Sequence, residues 1–169
     1  SPVYELIATY HIGGVARVAA NDNFSDTAAF AGQMLALPRQ LQSAAAGIAP
    51  GNTLATNTPT PALDQRQFIP LFIAASTSDE NYPGNSFLPE LSGLTPLPSA
   101  MTLGATWSPD RAKSAGDIAG AELSALGINM LFGPTLDVVE TPQPSSAADL
   151  GARAFGGDPY WVGLLGKAF

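Results

Sequence analysis

Three charged side chains stand in polar loops or at the ends of apolar runs, where a binding site can form. Arg153 ends a loop rich in Pro, Ser and Ala, Asp137 lies near the end of one predicted strand, and Asp79 follows another. A planar guanidinium can form paired hydrogen bonds with hydroxyl groups or with a carboxylate. We therefore expect Arg153 to bind a ligand, with a structural role bridging two loops as the alternative.

The two aspartates each admit two roles. We expect Asp137 to orient Arg153 or cap its loop, with direct ligand contact as the alternative. Asp79, next to Glu80, is either a ligand contact or a solvated loop charge. These carboxylates and the guanidinium are the candidate binding residues of the chain.

Several other kinds of site are absent from the sequence. It contains no GxGxxG, Walker, GxSxG or HExxH motif and no cysteine, and His11 is its single histidine. We interpret His11 as structural, because a metal site needs several clustered ligands. We therefore expect no metal and no organic cofactor.

Amino-acid composition and net charge exclude some classes of binding partner. The chain has 169 residues, 46% hydrophobic and 12% charged, with a net charge of −7. One sizeable core can form, and nucleic acid and anionic membranes are disfavoured as partners. No apolar run is long enough for a membrane span. Low charge with much Ala, Thr, Ser, Asn and Pro slightly favours a secreted or envelope location.

The spacing of apolar residues along the chain predicts the helices and strands that position these candidate residues. We predict a first strand within Val3–Val18, centred on Leu6–Tyr10, then a helix with an apolar face that Pro38 interrupts. Residues 47–66 have little periodicity and predict a surface loop or insertion. Gln67–Ser76 is apolar almost throughout and predicts a buried parallel strand, and Leu88–Ala105 predicts a loop.

Two helix starts are well marked. Ser108 with Pro109 predicts the start of a helix that ends at Gly127, and Asp158 with Pro159 predicts another. Between them, Ile128–Val139 predicts a strand that leads into the loop ending at Arg153. Strands that alternate with helices favour a parallel α/β fold, either doubly wound or a (β/α)₈ barrel.

Sequence blocks in a fixed order resemble the N-terminal barrel of glycoside hydrolase family 3, the exo-acting β-N-acetylglucosaminidases and β-glucosidases. The matching blocks are YHIGGV at Tyr10–Val15, PLFIA at Pro70–Ala74, LPSAMTLGAT at Leu97–Thr106, ALGINM followed by GPTLDVV at Ala125–Val139, and GxRxFGxDP at Gly151–Pro159. The resemblance selects the barrel, of which residues 1–169 would be a single incomplete domain, roughly its first half.

The resemblance implies hydrolysis of O-glycosyl bonds with retention, through a glycosyl-aspartate intermediate. It places Arg153 against the sugar in the innermost subsite. The nucleophile and the acid/base have no counterpart in this chain, so we expect no catalytic residue here, and Asp137 with Asp79 is not adopted as a catalytic pair. The family often has an acidic residue where this chain has Ser76, which puts that sugar contact in doubt.

The resulting hypothesis is a β-glycosidase of the β-N-acetylhexosaminidase or β-glucosidase type. Its partners would be a carbohydrate substrate and the remainder of the same barrel, and the chain alone would be inactive. The departure at Ser76 motivates an alternative, a non-catalytic carbohydrate-binding or scaffold protein on a degenerate barrel. A doubly wound nucleotide-binding domain is a weaker third possibility, against which the missing glycine fingerprint counts.

Overall fold

A computed structural model of the chain describes residues 2–17, 30–47, 69–76, 94–141 and 150–169. The elements in these ranges are α1 Pro2–Tyr10, β1 Gly14–Arg17, α2 Phe30–Ala45, β2 Phe72–Ser76, α3 Ala100–Gly104, α4 Pro109–Ala125, β3 Met130–Phe132, a 3₁₀ turn Gly151–Arg153 and α5 Pro159–Ala168. No helix in the described ranges has the length and hydropathy to cross a membrane.

The sheet has the strand order β1-β2-β3, and both neighbouring pairs are parallel. Val15 lies opposite Ile73, and Ala74 lies opposite Met130. Helices connect consecutive strands, as parallel pairing requires. The predicted parallel α/β architecture with flanking helices is therefore confirmed.

Two side-chain amides hold the residue that precedes β2. Asn129 Nδ2 and Gln42 Nε2 both donate to the carbonyl of Leu71, at 3.0 and 2.9 Å, and Gln42 Oε1 accepts from the Leu71 amide at 3.0 Å. Asn129 Oδ1 also accepts from the amide of Ile73 at 2.7 Å. These bonds explain why the predicted strand Gln67–Ser76 begins only at Phe72. The polar groups of Leu71 are satisfied by side chains instead of by a ladder.

Helix α4 packs through a face of small side chains. Its buried residues recur at three- and four-residue spacing and are Ala112, Ala115, Ala119 and Leu123. A Cβ at Gly116 would overlap the carbonyl oxygen of Phe169, so only glycine permits the close approach to the end of α5. The predicted bounds are confirmed, and Ser108 occupies the N-cap position, although its side chain makes no capping hydrogen bond.

Helix α5 begins where the sequence predicts. Asp158 Oδ1 accepts from the backbone N–H groups of Tyr160 and Trp161 at 2.9 and 3.1 Å, and Pro159 occupies the first turn. Val162 and Leu165 bury the inner face of the helix.

The predicted centre of the first strand is wrong, although a strand does lie within Val3–Val18. Leu6–Tyr10 is the second half of helix α1, and the first strand begins only at Gly14. Val3, Tyr4 and Ile7 share the helical spacing that turns Ile7 into the core. A short apolar run is compatible with a strand and with a helix, and its periodicity alone does not separate the two.

Two further boundaries differ from the predictions. The strand predicted over Ile128–Val139 ends at Phe132, since Pro134 has no N–H to donate to a ladder. The loop predicted over Leu88–Ala105 contains α3, which Ser99 caps through its side chain. The predicted surface loop at 47–66 lies almost wholly outside the described residues.

Candidate functional site

The carboxyl ends of the parallel strands lie at one edge of the sheet, which is where α/β proteins place their binding sites. At this edge β3 ends at Phe132 and the chain continues through 133–141. This stretch contains Asp137, and the next described residues, from Leu150 onward, contain Arg153.

The stretch after β3 runs alongside the stretch that follows Arg153. Thr135 forms a parallel bridge with Ala154, and the Val139 amide donates to the carbonyl of Gly156 at 3.0 Å. A Cβ at Gly157 would lie 2.7 Å from the carbonyl oxygen of Val139, so the two backbones approach as closely as glycine allows. Two backbone contacts thus fix the stretches to each other.

Arg153 ends the 3₁₀ turn Gly151–Arg153, here called the arginine turn. Its backbone N–H and its Nε both donate to the carbonyl of Leu150, at 3.0 and 3.2 Å. Ala154 and Phe155, the next two residues, are buried. The half-buried Arg153 side chain is therefore anchored at its base by its own turn and by the core below it.

Helix α3 supports the arginine turn from the other side. A Cβ at Gly104 would overlap the carbonyl oxygen of Phe155, so α3 rests directly on this backbone. Ser99 Oγ accepts from the amide of Thr102 at 3.1 Å and is itself buried, which fixes the start of α3. Sequence reasoning missed both Ser99 and Gly104, although a serine three residues before Thr102 is a recognisable capping pattern.

The structure brings two of the predicted binding residues to neighbouring segments. Asp137 is exposed and lies between the two backbone contacts that join its stretch to 154–156, the segment that follows the arginine turn. Asp79 and the side chain of Ser76 lie outside the described residues, so their predicted roles stay predictions.

Metal ligation has no support in the described part of the chain. Across these ranges, His, Asp and Glu side chains nowhere form a group of three or more that could hold an ion. His11 is exposed and has a left-handed φ of 51° at the turn between α1 and β1.

Relatives of known sequence include two classes of glycosidase. A β-hexosaminidase of Chromobacterium violaceum is 39% identical over 84 residues, which are 46% of this chain and 22% of that protein. A probable β-glucosidase H of Emericella nidulans is 35% identical over 68 residues, which are 40% of this chain and 8% of that protein. The matched part is therefore less than a quarter of either relative.

Solved structures match over nearly the whole chain. A glycoside hydrolase family 3 β-N-acetylglucosaminidase from Paenibacillus sp. superposes with a TM-score of 0.68 at 29% identity, covering 98% of this chain and 26% of that one. Native NagZ from Neisseria gonorrhoeae gives 0.63 at 22% identity, covering 98% of this chain and 40% of that one. This second likeness shows the fold alone.

The predicted resemblance is confirmed by the family model. The model described as the glycosyl hydrolase family 3 N-terminal domain, a domain of TIM-barrel type, matches residues 2–169. This match covers nearly every residue of the chain, whereas each relative of known sequence named above aligns with less than half of it. The chain belongs to glycoside hydrolase family 3.

Proposed function

We propose that the chain forms the first part of the barrel of an exo-acting, retaining β-glycosidase of the β-N-acetylhexosaminidase or β-glucosidase type. One observation carries the proposal: the segment 154–156, directly after the arginine turn, is joined by a β-bridge and a hydrogen bond to the stretch that follows β3, at the carboxyl edge of a parallel sheet. The names of the matched relatives, β-hexosaminidase and probable β-glucosidase, support this substrate class.

In this proposal Arg153 binds the sugar in the innermost subsite. Its Nε donates to the carbonyl of Leu150. The other N–H groups of the guanidinium lie in the same plane, a geometry that suits adjacent hydroxyl groups on a pyranose ring. Asp137, exposed on the neighbouring segment, orients the guanidinium or accepts from a sugar hydroxyl, and Asp79 remains a candidate for a second contact.

The chemical step uses residues that this chain does not supply. Double displacement needs a nucleophile and an acid/base on opposite sides of the glycosidic bond. Arg153 and Asp137 would hold the sugar while a carboxylate elsewhere in the barrel attacks the anomeric carbon. We therefore propose that the 169-residue chain alone is inactive.

The partner that completes the site is, in this proposal, the remainder of the same barrel. An open cleft of about 640 Å³ lies between α4, β3 and α5. Most of its lining residues are small or apolar, including Gly120, Ile128, Leu131 and Leu136, and Asn129 is a polar exception. In the described part of the chain β3 is also the last strand of the sheet, so a further parallel strand and its helix would fit beside it.

Hydrolysis of chromogenic β-glycosides tests the proposal. We expect no turnover of 4-nitrophenyl N-acetyl-β-glucosaminide or 4-nitrophenyl β-glucoside by the 169-residue chain. A polypeptide extended to the full family domain should hydrolyse at least one of them. Turnover by the 169-residue chain would contradict the proposal that the nucleophile lies outside it. An extended polypeptide that binds sugar without hydrolysing it would favour the non-catalytic alternative, which the residue at Ser76 motivates.

A further inference from the structure

Three aromatic side chains gather on the surface where α3 leads into α4 and where α5 begins. Trp107 and Trp161 meet edge to face, with ring centroids 5.0 Å apart and an angle of 87° between their planes. Tyr160 meets Trp161 in the same manner at 5.8 Å and 83°. Trp107 and Tyr160 are 58% and 69% exposed. This set is called the aromatic platform below.

Hydrogen bonds fix the backbone that carries the platform, although its rings are exposed. Asp158 caps the backbone N–H groups of Tyr160 and Trp161, which fixes the start of α5. Trp107 donates its own backbone N–H to the carbonyl of Gly104 at 3.0 Å and has a left-handed φ of 52°. A bulky residue with left-handed backbone angles is strained. Such strain persists only where the surrounding structure imposes it, often at a ligand-binding site.

The platform lies at the same end of the molecule as the arginine turn. Helix α4 leads directly into β3 and therefore runs against the strand direction, so its start lies on the side of the strands' carboxyl ends. Trp107 stands two residues before α4, and α5 starts at Pro159, after the stretch that follows β3. Helix α3, which ends three residues before Trp107, contacts the arginine turn.

We propose that the aromatic platform is a second carbohydrate site, which binds a pyranose ring of a neutral β-linked oligosaccharide outside the innermost subsite. The choice of sugar as ligand rests on the proposed function. The face of an aromatic ring carries partial negative charge and attracts the polarised C–H groups on the flat side of a pyranose. The exposed carboxylates of Asp110 and Asp158, beside the platform in sequence, can accept from sugar hydroxyls.

Charge argues for a neutral ligand. The chain carries a net charge of −7, and the residues that flank the platform include these two carboxylates. Phosphate-bearing ligands that also stack on aromatic rings, such as single-stranded nucleic acids, need a positively charged groove. A neutral polyhydroxyl ring needs only aromatic faces and hydrogen-bonding groups.

Tryptophan fluorescence of the full 169-residue chain gives a direct test. The chain has two tryptophans, and both belong to the platform, so tryptophan emission reports on this site alone. Titration with chitotetraose and with cellotetraose should give a saturable emission change with at least one of them. Sorbitol, which has hydroxyl groups but no ring face, should give none at the same hydroxyl concentration.

Variants separate this site from the innermost subsite. Tyr160→Ala should weaken the affinity at least about fivefold, because an exposed aromatic face that the ligand would cover is lost. Trp107→Gly should do the same while keeping the fold, since glycine adopts a φ of 52° without strain. Tyr10→Ala removes an aromatic ring of equal exposure, 68%, from α1 and should leave the affinity unchanged.

Arg153→Ala removes the proposed innermost contact and should leave the emission response of the platform in place. The proposal is overturned if neither sugar changes the emission. It is also overturned if Tyr160→Ala binds as tightly as the parent chain with its circular dichroism intact, or if Arg153→Ala abolishes the response. Because the readout is binding at the tryptophans, a failure of the polypeptide extended to the full family domain to hydrolyse chromogenic glycosides would refute the proposed function without affecting this result.

Discussion

The central strand β2 and the edge strand β3 are both short and apolar, but the middle of β2 is buried more deeply than β3. Ile73 and Ala74 in β2 are 0% and 3% exposed, although Phe72 at its start is 58% exposed. Met130 and Phe132 in β3 are 40% and 49% exposed. Strand β2 has a neighbour on each side, and β3 has one in the described part of the sheet. An apolar run therefore indicates which side chains are buried in the complete fold. Some of those side chains are exposed here because the strand that would cover them is not in the described sheet.

The strongest test of this comparison is truncation of one side chain on each strand. Ile73→Ala should lower the free energy of unfolding by about 2–5 kcal/mol, because it leaves a cavity in a closed core. Met130→Ala should cost about 1 kcal/mol or less, since water already reaches the side chain. Urea denaturation measures both. Equal losses would show that the two strands are not differently packed.

A smaller loss is expected where α3 rests on the arginine turn. Gly104→Ala places a Cβ against the carbonyl of Phe155 and should cost about 1–3 kcal/mol, because the backbone on one side must move. Gly120→Ala in α4 is the matched control, since nothing lies within 4 Å of its Cβ. It should be neutral or stabilise the chain by up to about 1 kcal/mol. Thermal unfolding that ranks these two variants in the opposite order would contradict the close approach.

The junction between β2 and β3 depends on an amide side chain. Asn129→Leu removes the acceptor for the Ile73 amide and one donor to the Leu71 carbonyl, and should cost about 1–3 kcal/mol. Gln40→Leu, which removes an exposed hydrogen bond with Tyr4, should cost less than about 0.5 kcal/mol. Amide hydrogen exchange at Ile73 should accelerate only in the Asn129 variant. Unchanged exchange there would show that the side chain does not hold the strand.

The smallest change in stability is expected at the open edge. Met130→Lys should alter the free energy of unfolding by less than about 0.5 kcal/mol, because the side chain is partly in water. A lysine on an edge strand discourages pairing with another chain, so self-association should fall. Sedimentation velocity measures this, with Ser114→Lys on the exposed face of α4 as the control that adds the same charge away from the sheet. Equal association of both variants would show that the β3 edge has no particular part in self-association.

Sequence predicted the helix starts at Pro109 and Pro159 because caps and prolines act locally. It failed at Leu6–Tyr10, where a short apolar run does not separate helix from strand. It also missed α3, whose five residues are too few to show periodicity.

The site was predictable only in part. The motif at Gly151–Pro159 singled out Arg153, and the resemblance supplied a role for it. The hydrogen bonds of Asn129 to Leu71 and Ile73 depend on the register between strands, and the contact of Gly104 with Phe155 depends on how α3 packs on the arginine turn. Neither contact can be deduced from the sequence, because the residues that meet are far apart along the chain.

The role of Arg153 in sugar binding is the central claim, and steady-state kinetics tests it most directly. In a polypeptide extended to the full family domain, Arg153→Lys should lower kcat/KM for a 4-nitrophenyl β-glycoside at least about tenfold, since lysine cannot form the paired hydrogen bonds. Arg111→Lys, at an exposed position on α4, should leave kcat/KM within about twofold. If Arg153→Lys instead matches the Arg111 control, Arg153 does not contact the sugar.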